Sequence, residues 1–283
     1  MKKLILLLSL SLFLFCCGCG DNNGRSNVKK KNNNLPKKEV KEIPKDQDSK
    51  MGLSQKKYNG VNHYVYKVDL NKDSILIHWK NKSATPYRTI ENVKKHLDKQ
   101  KHKVSLIVNA GMYEPNNSPK GLYIENGLKQ KKLDDNLNYK GKLLNFYMYP
   151  NGVFFIDKLN NAKIISTKDY IEKYQSIDST IYLASQSGPL LIDNGKFNPA
   201  FKSNSQSKYI RNGVGINKKG EIIFITSIER TNFYNFASLF KEVYNCSNAL
   251  YFDGAISKIY CTGCENYKGG DLGPIISVIK KKK

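Results

Sequence analysis

Of the 47 Lys and Arg residues in this 283-residue chain only four are Arg, at 25, 88, 211 and 230. Where nearly every cation is Lys, an Arg inside an apolar, glycine-rich run suggests that its planar fork is needed, as for paired hydrogen bonds to a phosphate. Arg211, in Arg211-Asn212-Gly213-Val214-Gly215, is that residue. Arg230 follows Glu229 and serves equally well as a salt-bridge or helix-cap partner. Asp253 comes directly after the apolar run Ala249 to Phe252 and before Gly254. A carboxylate at a strand end suits an acid, a base or a nucleophile, and it also suits an ordinary Asp-Gly turn. The same pattern of glycine beside a polar residue recurs in Asn109-Ala110-Gly111-Met112, in Ser187-Gly188-Pro189 and in Asp253-Gly254-Ala255-Ile256-Ser257. Glycine lets a backbone turn sharply or approach a ligand closely, so four such stops can surround one cleft, although each alone reads as a turn.

Other chemistries find little support. Glu114, Glu125, Glu229 and Asp271 are the remaining carboxylates near these segments, and spacing marks none of them. Gly-x-Ser-x-Gly, His-Glu-x-x-His and the phosphate-binding P-loop are absent. With His only at 63, 78, 96 and 102, neither a His-based triad nor a zinc site is expected, and no metal or cofactor is. Cys261 and Cys264 have the spacing of half a zinc site or a redox pair, but no second pair accompanies them. A local disulfide, or one from Cys246 to either of them, is the preferred reading.

The elements that must hold these residues follow from periodicity. Tyr64, Tyr66 and Val68, then Ile75, Ile77 and Trp79, alternate with polar residues and predict two strands. Ile90, Val93 and Leu97 lie at helical spacing and predict a helix over 87–101. Strands are predicted at 105–108, 121–124, 145–149, 153–156, 180–184, 190–192, 222–227, 249–252 and 274–279. Asn-Gly turns set off several of them. A second helix is expected over 233–244. The sum is one α+β domain with a large mixed, twisted sheet and a few covering helices.

The amino-terminal residues set an expected compartment. Lys2 and Lys3 precede an apolar run from Leu4 to Phe15, the size of a signal-peptide core and too short to span a bilayer comfortably. Gly18 before Cys19 fits a lipoprotein signal, with Cys17 as the alternative anchor and an ordinary secretory signal as the plainer reading. Residues 1–19 are therefore read as a signal with a lipid-accepting cysteine, 20–57 as a disordered tether, and 58–283 as the folded domain. The tether carries eleven Lys or Arg against five Asp or Glu. The formal net charge of +23 invites a nucleic-acid reading, but lysines spread along an exported chain favour solvated faces or an anionic envelope polymer instead.

Taken in order, Asn109-Ala110-Gly111-Met112-Tyr113, Ser118 to Gly127, Gln186-Ser187-Gly188-Pro189, Arg211 to Gly215, Asn232-Phe233, Ala249 to Gly254 and Leu272-Gly273-Pro274 resemble the phosphodiester glycosidase domain family. The likeness covers nearly the whole folded part. It implies hydrolysis of a sugar from a sugar-1-phosphodiester, with Asn109, Arg211 and Asp253 at the family's active-site positions. Gly111, Met112, Ser187, Gly188, Asn212, Gly213, Gly254 and Ser257 are the expected substrate-binding residues. The partner is then a glycan or glycosyl phosphate, with a membrane reached through the lipid anchor. Ala255 and Ile256 stand where animal members continue a glycine run, which puts the closeness of substrate approach there in question. The alternative is a non-catalytic lipoprotein that binds anionic glycans.

Overall fold

Short Asn-Gly connections dictate much of the architecture, because a two-residue turn returns the chain antiparallel to itself. The computed structural model describes residues 51–141, 144–253, 256–264 and 268–282. Cys17, Cys19, Gly254 and Ala255 lie outside the described residues. Strands are numbered along the chain. The first sheet has the order β1 (Gly52–Tyr58), β2 (Val61–Lys67), β13 (Ile222–Ser227), β12 (Asn212–Asn217), β14 (Cys246–Tyr251), β10 (Leu190–Asp193) and β11 (Lys196–Phe197). The second runs β15 (Ile259–Tyr260), β4 (Val104–Asn109), β16 (Ile275–Lys280) and β3 (Asp73–His78). The third runs β6 (Leu128–Lys131), β5 (Tyr123–Glu125), β9 (Ile181–Ser187), β7 (Gly152–Asp157) and β8 (Ala162–Ser166).

The inner faces of all three sheets share one core. Tyr66, Val214 and Phe224 from the first meet Ile77, Val108 and Ile276 from the second and Tyr123, Phe154 and Leu183 from the third. Each outer face is covered by a helix. Ile90, Val93 and Leu97 of α1 (Ile90–Lys99) pack on Ile107 and Ile275, and Tyr170 of α2 (Thr167–Lys173) packs on Val153 and Phe155. Phe236 of α3 (Phe233–Ser238), with Phe240 in the wider turn that follows, packs on Val65 and Ile225. Full burial of each such side chain contributes roughly 1.5–3 kcal/mol. Thr89 starts α1, accepting the Asn92 N–H at 3.1 Å.

The α+β class and the single strand-rich domain with few helices are as read from the sequence. The sheet itself is divided in three, and every named pairing is antiparallel rather than mixed. Parallel pairing needs long crossover connections, whereas Asn59-Gly60, Asn126-Gly127 and Asn194-Gly195, all at positive φ, close hairpins. Residues 52–57, assigned to the tether, form most of β1. This is a polar edge strand that pairs with β2, with Leu53 and Tyr58 packing against the core clusters. The predicted strand at 145–149 is a short 3-10 turn at Asn145–Tyr147, ahead of Pro150. Proline lacks the donor and restricts the residue before it. Among the described residues no helix is long and apolar enough to cross a membrane.

Candidate active site

Three strand ends meet where the three sheets adjoin. Asn109 closes β4, Asn212 opens β12, and β14 runs through Tyr251 into Phe252 and Asp253. Because β12 and β14 are antiparallel, with Gly213 opposite Tyr251, the start of one lies beside the end of the other. The Asn109 side chain ties them to the second sheet. Its Nδ2 donates to the Asp253 carbonyl at 2.9 Å, and its Oδ1 accepts from Asn212 Nδ2 at 2.6 Å and from the Lys258 N–H at 2.9 Å. The backbone repeats the connection, since Asp253 N–H donates to Ala110 O at 3.2 Å and Phe252 N–H to Asn212 O at 3.1 Å. Asn109 and Asn212 are each 1% exposed, so these bonds are sheltered from competing water.

The third sheet joins through Gly111, whose N–H donates to Ser185 Oγ at 3.2 Å. A Cβ on Gly111 would overlap that hydroxyl and the Gln186 carbonyl, which accounts for the glycine by close approach of backbone to β9. Gln186, buried one residue further along, accepts from Leu122 N–H and Asp134 N–H, each at 2.9 Å. Pro189 O then accepts from Tyr251 N–H at 3.1 Å. Ser257 caps the far side, donating its hydroxyl to Ile210 O at 3.0 Å.

The Asp253 side chain is half-buried, and Tyr113 stands against it. Burial first, then the charges of Asp253 and Asp271 and the hydrogen bond with Asp253, push the Tyr113 phenol well above its ordinary range. It therefore stays a protonated donor facing the carboxylate. Asp271 is placed by Asn117 Nδ2 at 2.8 Å and by Arg88 at 3.5 Å.

Arg211 is brought to the junction but not with its fork open. It is 1% exposed, donates from Nε to Thr231 O at 2.8 Å and from Nη2 to Ser207 O at 3.0 Å, and lies 3.6 Å above the Phe233 ring. Burial lowers its pKa, while Tyr251 beside it works in the opposite sense. The Nε and Nη2 donors of Arg211 are thus directed at two main-chain carbonyls. The glycines near Arg211 and at Gly188 are packed tightly by neighbouring backbone. Gly213 lies within β12, and a Cβ there would come 2.7 Å from Leu250 O, so strand packing excludes a side chain. A Cβ on Gly188 would likewise come 2.6 Å from Phe146 O. Met112 leans on the core beneath α3, and the Ser187 hydroxyl is buried without a hydrogen-bond partner among the described residues.

Sequence reasoning missed Tyr113 and Gln186 as members of the site, although both stand within the ordered motifs. Nothing in their spacing distinguishes them, because their partners lie far away in the chain. Cys261 and Cys264 form the local disulfide, and Cys246 is free and buried. Among the described residues no cluster of three or more His, Cys, Asp or Glu is arranged to hold a metal ion.

Three sheets around one core, with polar strand ends converging on a half-buried carboxylate, make up a single α+β architecture. Residues 102–274 match the phosphodiester glycosidase family, and the chain belongs to that family. It is 36% identical over 201 residues to the uncharacterized protein YigE of Escherichia coli (strain K12), covering 70% of this chain and 74% of YigE. Its fold is similar to the catalytic domain of zebrafish N-acetylglucosamine-1-phosphodiester alpha-N-acetylglucosaminidase, with a TM-score of 0.52 and 15% identity over 85% of this chain and 87% of that one. A putative exported protein from Burkholderia pseudomallei K96243 shares the fold at a TM-score of 0.53 and 8% identity, over 77% and 74% of the two chains.

Proposed function

We propose that this chain hydrolyses the bond between a sugar's anomeric carbon and the phosphate of a phosphodiester in envelope or surface glycans. The observation that carries this reading is the junction of Asn109, Asn212 and Asp253, in a chain of phosphodiester glycosidase family. In the reaction the C1–O bond breaks, and the phosphate monoester leaves with the bonding electron pair. Water supplies the new hydroxyl at C1, and its proton passes to the carboxylate and then to solvent. The phosphate needs charge stabilisation more than protonation as it departs, and the sugar passes through an oxocarbenium-like state. Asp253 is the group for that cation or for the attacking water, and Tyr113 orients it. Asn109 holds the main chain at Asp253, and Arg211 holds the segments carrying Ser207 and Thr231 while adding a fixed positive charge behind the strand ends.

The residues before the domain support a place at the cell envelope, with Cys19 as the lipid-bearing residue. Labelling with a radioactive fatty acid in wild type and Cys19→Ser checks that anchor: label lost with the substitution supports it, and label retained excludes Cys19. For the activity, the purified protein and its Asp253→Asn variant are incubated with a panel of sugar-1-phosphodiesters, and free sugar is measured. Release by wild type and a loss of about 10³-fold in the variant is expected for a group acting on the reacting atoms. Equal release by both would remove Asp253 from the chemistry. No release by either, with anionic glycans still retained, would point to the binding alternative.

A further inference from the structure

Two adjoining cavities of about 380 and 320 Å³ lie where α1 meets the end of β3, and they share Tyr87 and His96 in their walls. Lys80 and Lys82 enter from the strand side, Lys95 and Lys99 from the helix. Lys95, His96 and Lys99 fall on one stripe of α1, separate from the buried face of Ile90, Val93 and Leu97. Lys94, on another face of α1, pairs with Asp98 at 2.6 Å, whereas Lys82, Lys95 and Lys99 have no ion-pair partner among the described residues. The carboxylate at the edge, Glu125, is already bonded by the Tyr123 hydroxyl at 2.7 Å and by Gln130 at 3.3 Å. Lys80 is held with its ammonium 3.9 Å from the Trp79 ring centre.

Like charges one helical turn apart repel, and a run of them without counter-charges is a cost to the folded state unless something anionic lies across them. His96 registers the same field, since burial and then Lys82, His102 and Lys99 lower its pKa. Tyr87 lines both cavities, and Arg88 next to it pairs with Asp271 at 3.5 Å, whose charge reaches Tyr113 beside Asp253.

We infer that this groove binds the phosphate chain of a polyanionic substrate, a repeating phosphodiester polymer whose glycosyl phosphodiester link is presented at Asp253. What is cleaved rests on the hydrolase reading above, and what is bound does not. Lysines at several points along a groove suit a string of phosphates better than one, because each contact adds a released counterion.

The test uses the triple variant Lys82→Gln, Lys95→Gln, Lys99→Gln and, as a control of equal charge, Lys202→Gln, Lys218→Gln, Lys219→Gln. Binding of long-chain inorganic polyphosphate is measured across a salt series. The groove variant is expected to bind about tenfold more weakly, with a salt slope lower by about 2, while the control changes less than about twofold. Hydrolysis is then compared on a synthetic sugar-1-phosphodiester with and without an oligo(glycerol phosphate) tail. The tail should raise kcat/KM for wild type and the control but not for the groove variant, and the tail-free substrate should be cut equally by all three. Equal losses of polyphosphate affinity in the two variants would overturn the groove and leave only bulk charge. If wild type cuts neither substrate, the hydrolase reading fails, and the polyphosphate comparison still decides whether the groove binds.

Discussion

The strand-end junction and the face of α1 treat their polar atoms in opposite ways. At the junction, Asn109 is bonded to Asp253, Asn212 and Lys258, partners 103 to 149 residues away in the chain. Arg211, a cation that the sequence reading has facing a phosphate, is committed to Thr231 O and Ser207 O. On α1 the cations Lys95 and Lys99 are exposed and carry no ion pair among the described residues. A site for chemistry needs groups fixed before substrate arrives, so its hydrogen bonds go to the protein itself, with Tyr113 set against the half-buried Asp253 carboxylate. A groove for a long anion needs charge more than fixed geometry.

The contrast can be broken at either side. The largest effect is expected from Asp253→Asn, about 10³-fold in kcat/KM with a Tm close to wild type, since the tie to Asn109 uses the Asp253 carbonyl rather than its carboxylate. Asn109→Ala should cost about 2 kcal/mol in denaturant unfolding, because it removes the shorter bond to the buried Asn212 amide and the side-chain partner of the Lys258 N–H and of the Asp253 carbonyl. Arg211→Lys should lower Tm and activity together, by about 2 kcal/mol in stability, since a lysine cannot reproduce the fork to two carbonyls. A fall in activity with Tm unchanged would instead restore Arg211 to direct contact with phosphate.

Acid should act on the scaffold as well as on the site. Burial lowers His63 to about 4, and burial followed by His96 and His102 lowers His78 to about 3. The unfolded chain then binds more protons than the folded one below the ordinary histidine value, so stability is retained above about pH 6.5 and falls as pH drops toward 4. Each histidine accounts for at most about 3 kcal/mol of that fall. Denaturant midpoints between pH 7 and 4 should show the loss, and His78→Gln should flatten it. Smallest is the groove: Lys95→Gln should change stability by no more than about 0.5 kcal/mol in either direction. A larger loss there would mean that the lysine supports the fold rather than a ligand.

Local physics was legible in the sequence, and long-range pairing was not. The apolar run Ile222 to Ile225 in β13 and the helical spacing of Ile90, Val93 and Leu97 marked those elements close to their observed bounds. β1 was hidden because an edge strand such as Gly52–Tyr58 is polar, which is how exposed edges avoid pairing with other chains. Arg211 to Gly215 looked like a ligand loop because glycines in a strand and glycines in a loop are written alike. The distinction lies in Leu250 O opposite Gly213, and in Phe240 and Cys246 opposite Gly215. The spacing of Cys261 and Cys264 left a local disulfide and a bridge from Cys246 both open, and the fold holds the local pair with Cys246 buried apart from it. Tyr113 was not legible as the neighbour of Asp253, since 140 residues separate them.

Position of bond cleavage is the most direct test of the central claim. Hydrolysis of a sugar-1-phosphodiester in water enriched in oxygen-18, followed by mass spectrometry of both products, assigns the broken bond. Label in the sugar hydroxyl at C1 and none in the phosphate monoester is the result predicted here. Label in the phosphate would mean attack at phosphorus and would contradict a glycosidase built on Asp253.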